Sequence, residues 1–404
     1  MKKWQWVAGL TMMSAVQLVA TETALAQQSP DVVRIGFITD LSGLYADIDG
    51  PAGVDAIKWA VEDFGGTVLG KKIEVLSADH QNKPDIAANK AREWFDQDQL
   101  SMLVGGTNSG TALAMAKVAG DKKRIFFAVG GGSSVLTNDQ CSPYTIHYAY
   151  DTIALARGTG GAVVKAGGKS WFFLTADYAF GTALQNDTSA VVKADGGSVV
   201  GSVKHPLSTN DFSPFLIQAQ ASGAQILGLA NAGGDTINAV KAANEFGITK
   251  TMKLAGLLMF INDVNSLGLP ATQGMYLTDS WYWNMSPEAR AWSNRFFERY
   301  KRMPSSIQAA DYSATMQYLA AVKAAGTLDA DKVLAQLHKT TIHDMYTAHG
   351  TIRPDGTMLH DMFLMQVKKP AESKEPWDYY NVVQTLKGDE VFNTKAESTC
   401  KAWK

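Results

Sequence analysis

The sequence predicts an α/β protein made of two doubly wound, parallel-sheet domains. Three observations carry that reading: a chain of 404 residues, two successive runs of alternating strand and helix patterns, and paired Gly-rich loops at strand ends. A chain of this length exceeds one ordinary core, so two domains are the default. The net charge of −2, with 19% charged residues, provides no electrostatic footprint for nucleic acid or an acidic membrane surface.

Lys2 and Lys3 precede a mostly apolar stretch over residues 4–20, and Ala24-Leu25-Ala26 has the small-residue pattern of a cleavage site. A signal peptide over residues 1–26, cut after Ala26, is therefore expected. No later segment has an apolar run of spanning length, and no cysteine follows Ala26 to carry a lipid. Export to the periplasm follows. The two cysteines, Cys141 and Cys400, are then expected to form one disulfide in an oxidising compartment.

The mature chain opens with VVRIGFITD, a buried-strand pattern, and the Gly/Asp-rich loop LSGLYADIDGPAG. In GVDAIKWAVEDF, Val54, Ile57, Val61 and Phe64 share one helical face. KKIEVLSAD is a second strand and IAANKAREWFDQ a second amphipathic helix. SMLVGGTNSG and RIFFAVGGGSS follow, two buried strands joined by the Ala-rich helix TALAMAKVAG. Their loops carry Asn108, Ser109, Gly132, Ser133 and Ser134. Glycines let a ligand approach the backbone, and hydroxyls with free N–H groups at a helix start suit an anion, most simply a carboxylate. Strand and helix alternate without hairpin signals, as in a parallel sheet.

After YTIHYAYDT the alternation restarts. SWFFLTAD, SVVGSVKH, QILGLAN and MKLAGLLMF read as strands, separated by helices around GTALQNDTSAVVKAD, FSPFLIQAQASG and TINAVKAANEFG. The pattern changes at GMYLTDSWYWN, followed by two long helices, PEARAWSNRFFERYKR and SIQAADYSATMQYLAAVKAAG, with no local strand partners. Those helices need a sheet to cover, and the first domain has one. The chain is thus expected to cross between domains near residues 148–152, 278–283 and 348–354, the last crossing sending TIRPDG and MFLMQVKK to the second domain. The lobes become residues 31–149 plus 282–348 and residues 150–281 plus 349–404, joined by a three-crossover hinge. None of the crossing segments is Gly/Ser-rich or Pro-rich, so the expected motion is closure about a cleft.

LSGLYADIDGPAGVDAIKWAVEDF, the block ending in VGGGSS, FFLTADYAFG and the hinge-proximal YLTDSWYW resemble the periplasmic solute-binding proteins of ABC transporters of the branched-chain amino acid (Leu/Ile/Val-binding) type. The resemblance covers essentially the whole mature chain. It implies two Rossmann-like domains, the type I periplasmic binding protein fold, and delivery of a small ligand to membrane permease subunits. It places the ligand carboxylate on Ser109 and on Ser133 and Ser134, in the loops that also carry the candidates Asn108 and Gly132. Tyr178 and Phe180 face them from the second domain, with Asn231 and Asp235 on the next loop, and Tyr45 matches the loop after the first strand.

Amino-acid binders of that family carry an acidic residue after the strand equivalent to MKLAGLLMF. Here Gly256 is followed by Leu257, Leu258, Met259 and Phe260. A buried ammonium without a counter-charge costs several kcal/mol, so an aromatic acid of benzoate or cinnamate type is the expected ligand. Asp235 or Asp279 could supply the charge, which keeps a branched-chain or other amino acid as the alternative. Tyr178, Phe180, Met259, Phe260 and the hinge aromatics Trp281, Tyr282 and Trp283 are candidates to line the apolar body of the ligand, with alternation placing Trp281 and Trp283 on one face.

His338, His343, His349 and His360 lack the i, i+4 spacing that puts two imidazoles on one helical face, so no metal is expected. No G-x-S-x-G elbow surrounds Ser109 or Ser134, and GGTNSGTA lacks the Lys of a phosphate loop. A secreted ester or amide hydrolase is the alternative from another class. No cofactor or nucleic-acid partner is expected, and the protein is expected to be a monomer. The same fold serving a signalling partner would look identical in sequence.

Overall fold

The computed structural model describes Met1 and residues 31–403; the expected signal segment, apart from Met1, lies outside the described residues. Among the described residues no helix is long and apolar enough to cross a membrane.

The first sheet contains β1 (Val32–Thr39), β2 (Thr67–Val68), β3 (Lys71–Asp79), β4 (Met102–Gly105), β5 (Ile125–Ala128) and β6 (Thr145–His147), in the order β2-β3-β1-β4-β5-β6. From β3 to β6 every pairing is parallel. Helices Pro84–Asp96 and Ser109–Lys122 are the connections the alternation predicts. β2 departs from it. It pairs antiparallel with β3 through a turn in which Leu69 and Gly70 both adopt positive φ, 54° and 74°. A Leu in that position hides a hairpin usually announced by Asn-Gly or Asp-Gly.

The second sheet, β7 (Ser170–Ala176), β8 (Ser198–His205), β9 (Ile226–Ala230) and β10 (Lys253–Gly256), is entirely parallel in the order β10-β9-β7-β8. β10 stops at Gly256, and Leu257, Leu258, Met259 and Phe260 are buried as they lead into helix Ile261–Leu267.

The long helices Pro287–Tyr300 and Ser306–Ala325 return to the first sheet. Trp292 and Phe296 meet Trp59 of helix Gly50–Asp63 edge-on, with centroids 6.4 and 6.1 Å away. The last part of the chain adds the hairpin β12 (Thr351–Ile352) and β13 (Met358–Leu359). β11 (Tyr276–Asp279), β14 (Met362–Val367) and β15 (Tyr380–Leu386) then form a separate antiparallel sheet, not an extension of the second sheet, in the order β11-β14-β15. β15 has no counterpart in the sequence reading, because its five inner residues are all exposed and show no period of two. β11 pairs with β14, and His147 is bridged to Thr357, so the segments near the three expected crossings lie beside segments of the last part of the chain. Cys141 and Cys400 are bonded, tying the C-terminal tail to the segment before β6.

Candidate functional site

Both large sheets reverse their winding at an internal strand, and ligands of open α/β sheets bind outside the carboxyl ends at such points. In the first sheet the reversal lies between β1 and β4, and in the second between β7 and β9. Tyr45 follows β1, Ser109 follows β4, Tyr178 follows β7, and Asn231 follows β9.

The first jaw is built by polar side chains that hold backbone. Asp40 accepts from the Gly43 and Tyr45 N–H groups at 2.7 and 2.9 Å and from Asn82 Nδ2 at 2.6 Å, which fixes the loop carrying Tyr45. Asn108 caps its helix, accepting from the Gly110 and Thr111 N–H groups at 2.8 and 3.2 Å. That cap places Ser109 in the first turn, where its Oγ accepts from Ser133 N at 3.0 Å. The second Gly loop therefore lies directly on the first. At Gly131 a side chain would sit 2.5 Å from Ala112 Cβ and 2.7 Å from Gly106 O, so only glycine permits this stacking.

The Ser133 hydroxyl accepts from Val135 N at 3.4 Å. Ser109 and Ser133 hydroxyls thus each take a backbone N–H, and among the described residues neither donates. A serine hydroxyl has one proton to give, so two buried donors remain for an acceptor brought by a ligand. Ser134 is used differently. Its N–H donates to Thr152 Oγ1 at 3.0 Å, and the Ser134 and Thr152 hydroxyls both donate to Asp187 Oδ2, at 2.9 and 2.6 Å.

The second jaw meets the first through aromatic rings. The Tyr45 and Tyr178 hydroxyls are 2.7 Å apart. Burial comes first among the causes that raise both phenols above their ordinary range, and Asp235 nearby raises them further. Both therefore stay neutral and can donate. Phe180 lies 6.1 Å from the Tyr178 ring, and a side chain at Gly132 would come within 2.6 Å of the Tyr150 ring and 3.1 Å of Phe180. Tyr150 in turn lies 6.2 Å from Phe260. Gly233, at φ 58°, brings its backbone to Leu44 and Tyr45 across the cleft.

The structure thus gathers Tyr45, Gly132, Tyr178 and Phe180 in one place, beside Ser109 and Ser133. It adds Tyr150, which the sequence reading missed on a crossing segment with no loop motif to mark it. Asn231 and Asp235 are buried, with their side chains bonded to neighbours after β8 and β9. Asn231 Nδ2 is 3.1 Å from His205 Nε2, and its Oδ1 accepts from Thr236. Asp235 accepts from the Ser208 and Thr209 N–H groups, and burial pushes its carboxyl up to about 6. Met259 packs on Gly256. Trp281 donates to the Met345 carbonyl at 3.0 Å and meets Trp292 edge-on, in the packing of the long helices. Trp283 donates to the Trp377 carbonyl, and Tyr282 rests against Tyr380. β11 ends at Asp279, so strand alternation does not govern these three rings. His360 spans the Asp361 and Ala149 carbonyls.

Comparison with known proteins follows the same outline. A periplasmic binding protein of Burkholderia mallei is 66% identical, with a TM-score of 0.92 over 93% of this chain and 100% of that one. A branched chain amino acid ABC transporter periplasmic ligand-binding protein of Burkholderia xenovorans is 40% identical, with a TM-score of 0.81 over 92% and 100%. A solute binding protein of an ABC transporter from Rhodopseudomonas palustris, in complex with 3,4-dihydroxy benzoic acid, shares the fold at a TM-score of 0.80 and 24% identity, over 89% and 98%. A Leu/Ile/Val-binding protein homolog 6 of Brucella melitensis is 26% identical over 235 residues, 57% of this chain and 58% of that relative's length. The model of a family described as periplasmic binding protein matches residues 32–374. With two parallel-sheet α/β domains meeting at their switch points, the chain belongs to the periplasmic binding protein family.

Proposed function

We propose that this protein is the exported solute-binding component of an ABC transporter, closing on a small aromatic carboxylate of benzoate or cinnamate type and delivering it to the permease. The lobes that close are residues 31–149 plus 282–348 and residues 150–281 plus 349–404. The observation that carries the reading is the pair of uncommitted hydroxyls, Ser109 and Ser133, set beside Tyr45, Tyr150, Tyr178, Phe180 and Phe260. Two hydroxyl donors suit a carboxylate, and the rings suit a planar apolar body. Leu257 to Phe260 offer no counter-charge for an ammonium, and the carboxyl of Asp263 just beyond is turned to the Phe260 N–H at 2.9 Å. The Rhodopseudomonas protein supports the reading at the level of the fold, which accommodates a dihydroxybenzoate there.

An amino acid is the second reading, favoured by the name of the Burkholderia xenovorans relative and by the buried Asp235. Thermal unfolding after removal of co-purified ligand decides between them. At about 100 Kd a ligand adds roughly 2.7 kcal/mol, a readable shift. Stabilisation by 4-hydroxybenzoate or cinnamate but not leucine is expected; the reverse would reject the aromatic acid. Turnover of an aromatic ester, lost in Ser109→Ala, would reject the transport role.

A further inference from the structure

Beneath the first jaw two carboxyl groups face each other with no cation. Asp49 and Asp311 are both 0% exposed, and neither forms an ion pair among the described residues. Asp49 Oδ1 and both Asp311 oxygens have no other hydrogen-bond donor. The two side chains are nonetheless close. A side chain added at Gly53 would strike Asp49 Oδ1 and lie 2.9 Å from Asp311 Oδ2, so glycine in helix Gly50–Asp63 opens the space they share. Two bare carboxylates in one dry pocket are untenable, and a proton between them is what remains to satisfy their oxygens.

The pair is wired to the ligand loops. Thr39 Oγ1 donates to Asp49 Oδ2 at 2.5 Å and lies 2.5 Å from Thr107 Oγ1, two residues before Ser109. From the same helix as Asp311, Gln308 Nε2 donates to the Asp47 and Asp49 carbonyls at 3.3 and 3.0 Å, and Ser305 Oγ donates to the Ile48 carbonyl. The end of the Tyr45 loop therefore rests on one face of helix Ser306–Ala325.

We propose that Asp311 retains a proton at neutral pH and donates it to Asp49, making this acid–carboxylate pair the positioning element for the Tyr45 loop and for Thr107. The proton belongs on Asp311. Asp49 stands at the N-terminus of helix Gly50–Asp63, where negative charge is favoured, and it accepts from Thr39; Asp311 lies inside its helix with no donor. Titration agrees. Burial raises both groups, Asp49 to about 6 and Asp311 well above its ordinary value, with Asp49 adding to the rise at Asp311. The other titratable groups facing the pair are Asp40, Tyr150 and Tyr346, and they add no positive charge.

The test uses the mature protein without ligand, so it is independent of what the cleft binds. Infrared spectroscopy of the wild type at neutral pH should show a protonated carboxyl that Asp311→Asn removes. Hydrogen exchange of the residue 41–49 amides, corrected for intrinsic rates, should accelerate in the wild type on the alkaline side of neutrality. The gain should approach about tenfold per pH unit, the linkage of one proton. Asp311→Asn keeps a donor that cannot titrate, so its exchange should stay flat, and Asp311→Ala should exchange fast at every pH. A wild type with no protonated carboxyl band, or an Asp311→Asn variant with wild-type pH dependence, overturns the proposal. If the variants do not fold, the wild-type exchange profile of residues 41–49 decides, because Asp151, Asp263 and Asp279 also hold protons near neutrality and contribute to the carboxyl band.

Discussion

Replacing Asp187 by Ala should release the closed state without touching the ligand donors. Asp187 Oδ2, on helix Ala179–Ala194, takes hydroxyl protons from Ser134 of the other lobe and from Thr152 of its own. A hydrogen bond to a charged group is worth about 1.5–3 kcal/mol when buried. Asp187 is only partly buried, and of its two bonds only the one from Ser134 crosses between the lobes, so we take about 1 kcal/mol for closure. That is roughly a fivefold loss in the population of the closed form relative to the open one. Because Ser109, Ser133 and the rings are untouched, the loss should appear as faster ligand release at nearly unchanged association. Stopped-flow tryptophan fluorescence gives both rates, and small-angle scattering gives the closed fraction. Ser134→Ala, which removes the hydroxyl that crosses to Asp187, should show a similar acceleration. Release from Asp187→Ala within twofold of wild type, with scattering still compact, would refute the latch.

Gly132→Ala should cost about 1–3 kcal/mol of closure by overpacking, because its methyl group would meet Tyr150 at 2.6 Å; calorimetry with the open-form Tm unchanged checks it. Ser109→Ala removes a ligand donor and orphans Ser133 N, so carboxylate affinity should fall at least about tenfold by titration calorimetry. Reducing Cys141–Cys400, which closes 259 residues of chain, should lower unfolding free energy by up to about 5 kcal/mol in urea. Burial pushes Asp151, Asp263 and Asp279 up to about 7, so the native state holds protons that the unfolded chain has released. The stability they provide is complete below about pH 4 and is lost as pH rises through about 7. His80 and His147, pushed down to about 4 by burial, work in the opposite sense only below about pH 6.5. Tm should therefore fall from about pH 6.5 to about pH 8, and a flat profile would count against these carboxyls being buried neutral.

The inner strands β4, β5 and β9 were legible because burial on two faces leaves continuous apolar runs, and the partly exposed β3 and β8 also lie where KKIEVLSAD and SVVGSVKH put them. β15 was not, since an exposed edge strand has no apolar face to write into the chain. In the cleft, Ser109 and Ser133 could be read from hydroxyls in paired Gly loops. Tyr150 could not, because its place is set by a crossing between domains and not by a local motif. Asp311 was visible only as an isolated acid on a long helix. Its partner Asp49 lies 262 positions earlier, and only the return of that helix to the first sheet brings them together.

Ser133 and Ser134 illustrate why chemistry at such loops needs geometry. Adjacent and identical, they look equally suited to a carboxylate, yet the turn that starts at Ser134 sends their hydroxyls to different domains. Ser133 stays over Ser109, fastened through its own N–H, with its hydroxyl proton uncommitted. Ser134 instead reaches to Asp187 of helix Ala179–Ala194 at 2.9 Å. Under the proposed function one loop would hold both a ligand donor and the catch, and Gly132 before them is bare because Tyr150 and Phe180 fill the space a side chain would need. Under the proposed function, ligand contact and domain closure would be coupled within three consecutive residues, so a ligand that shifts this loop by the width of a methyl group would also shift the catch. Selectivity among acids should therefore be expressed in release rates as much as in contacts to the ring.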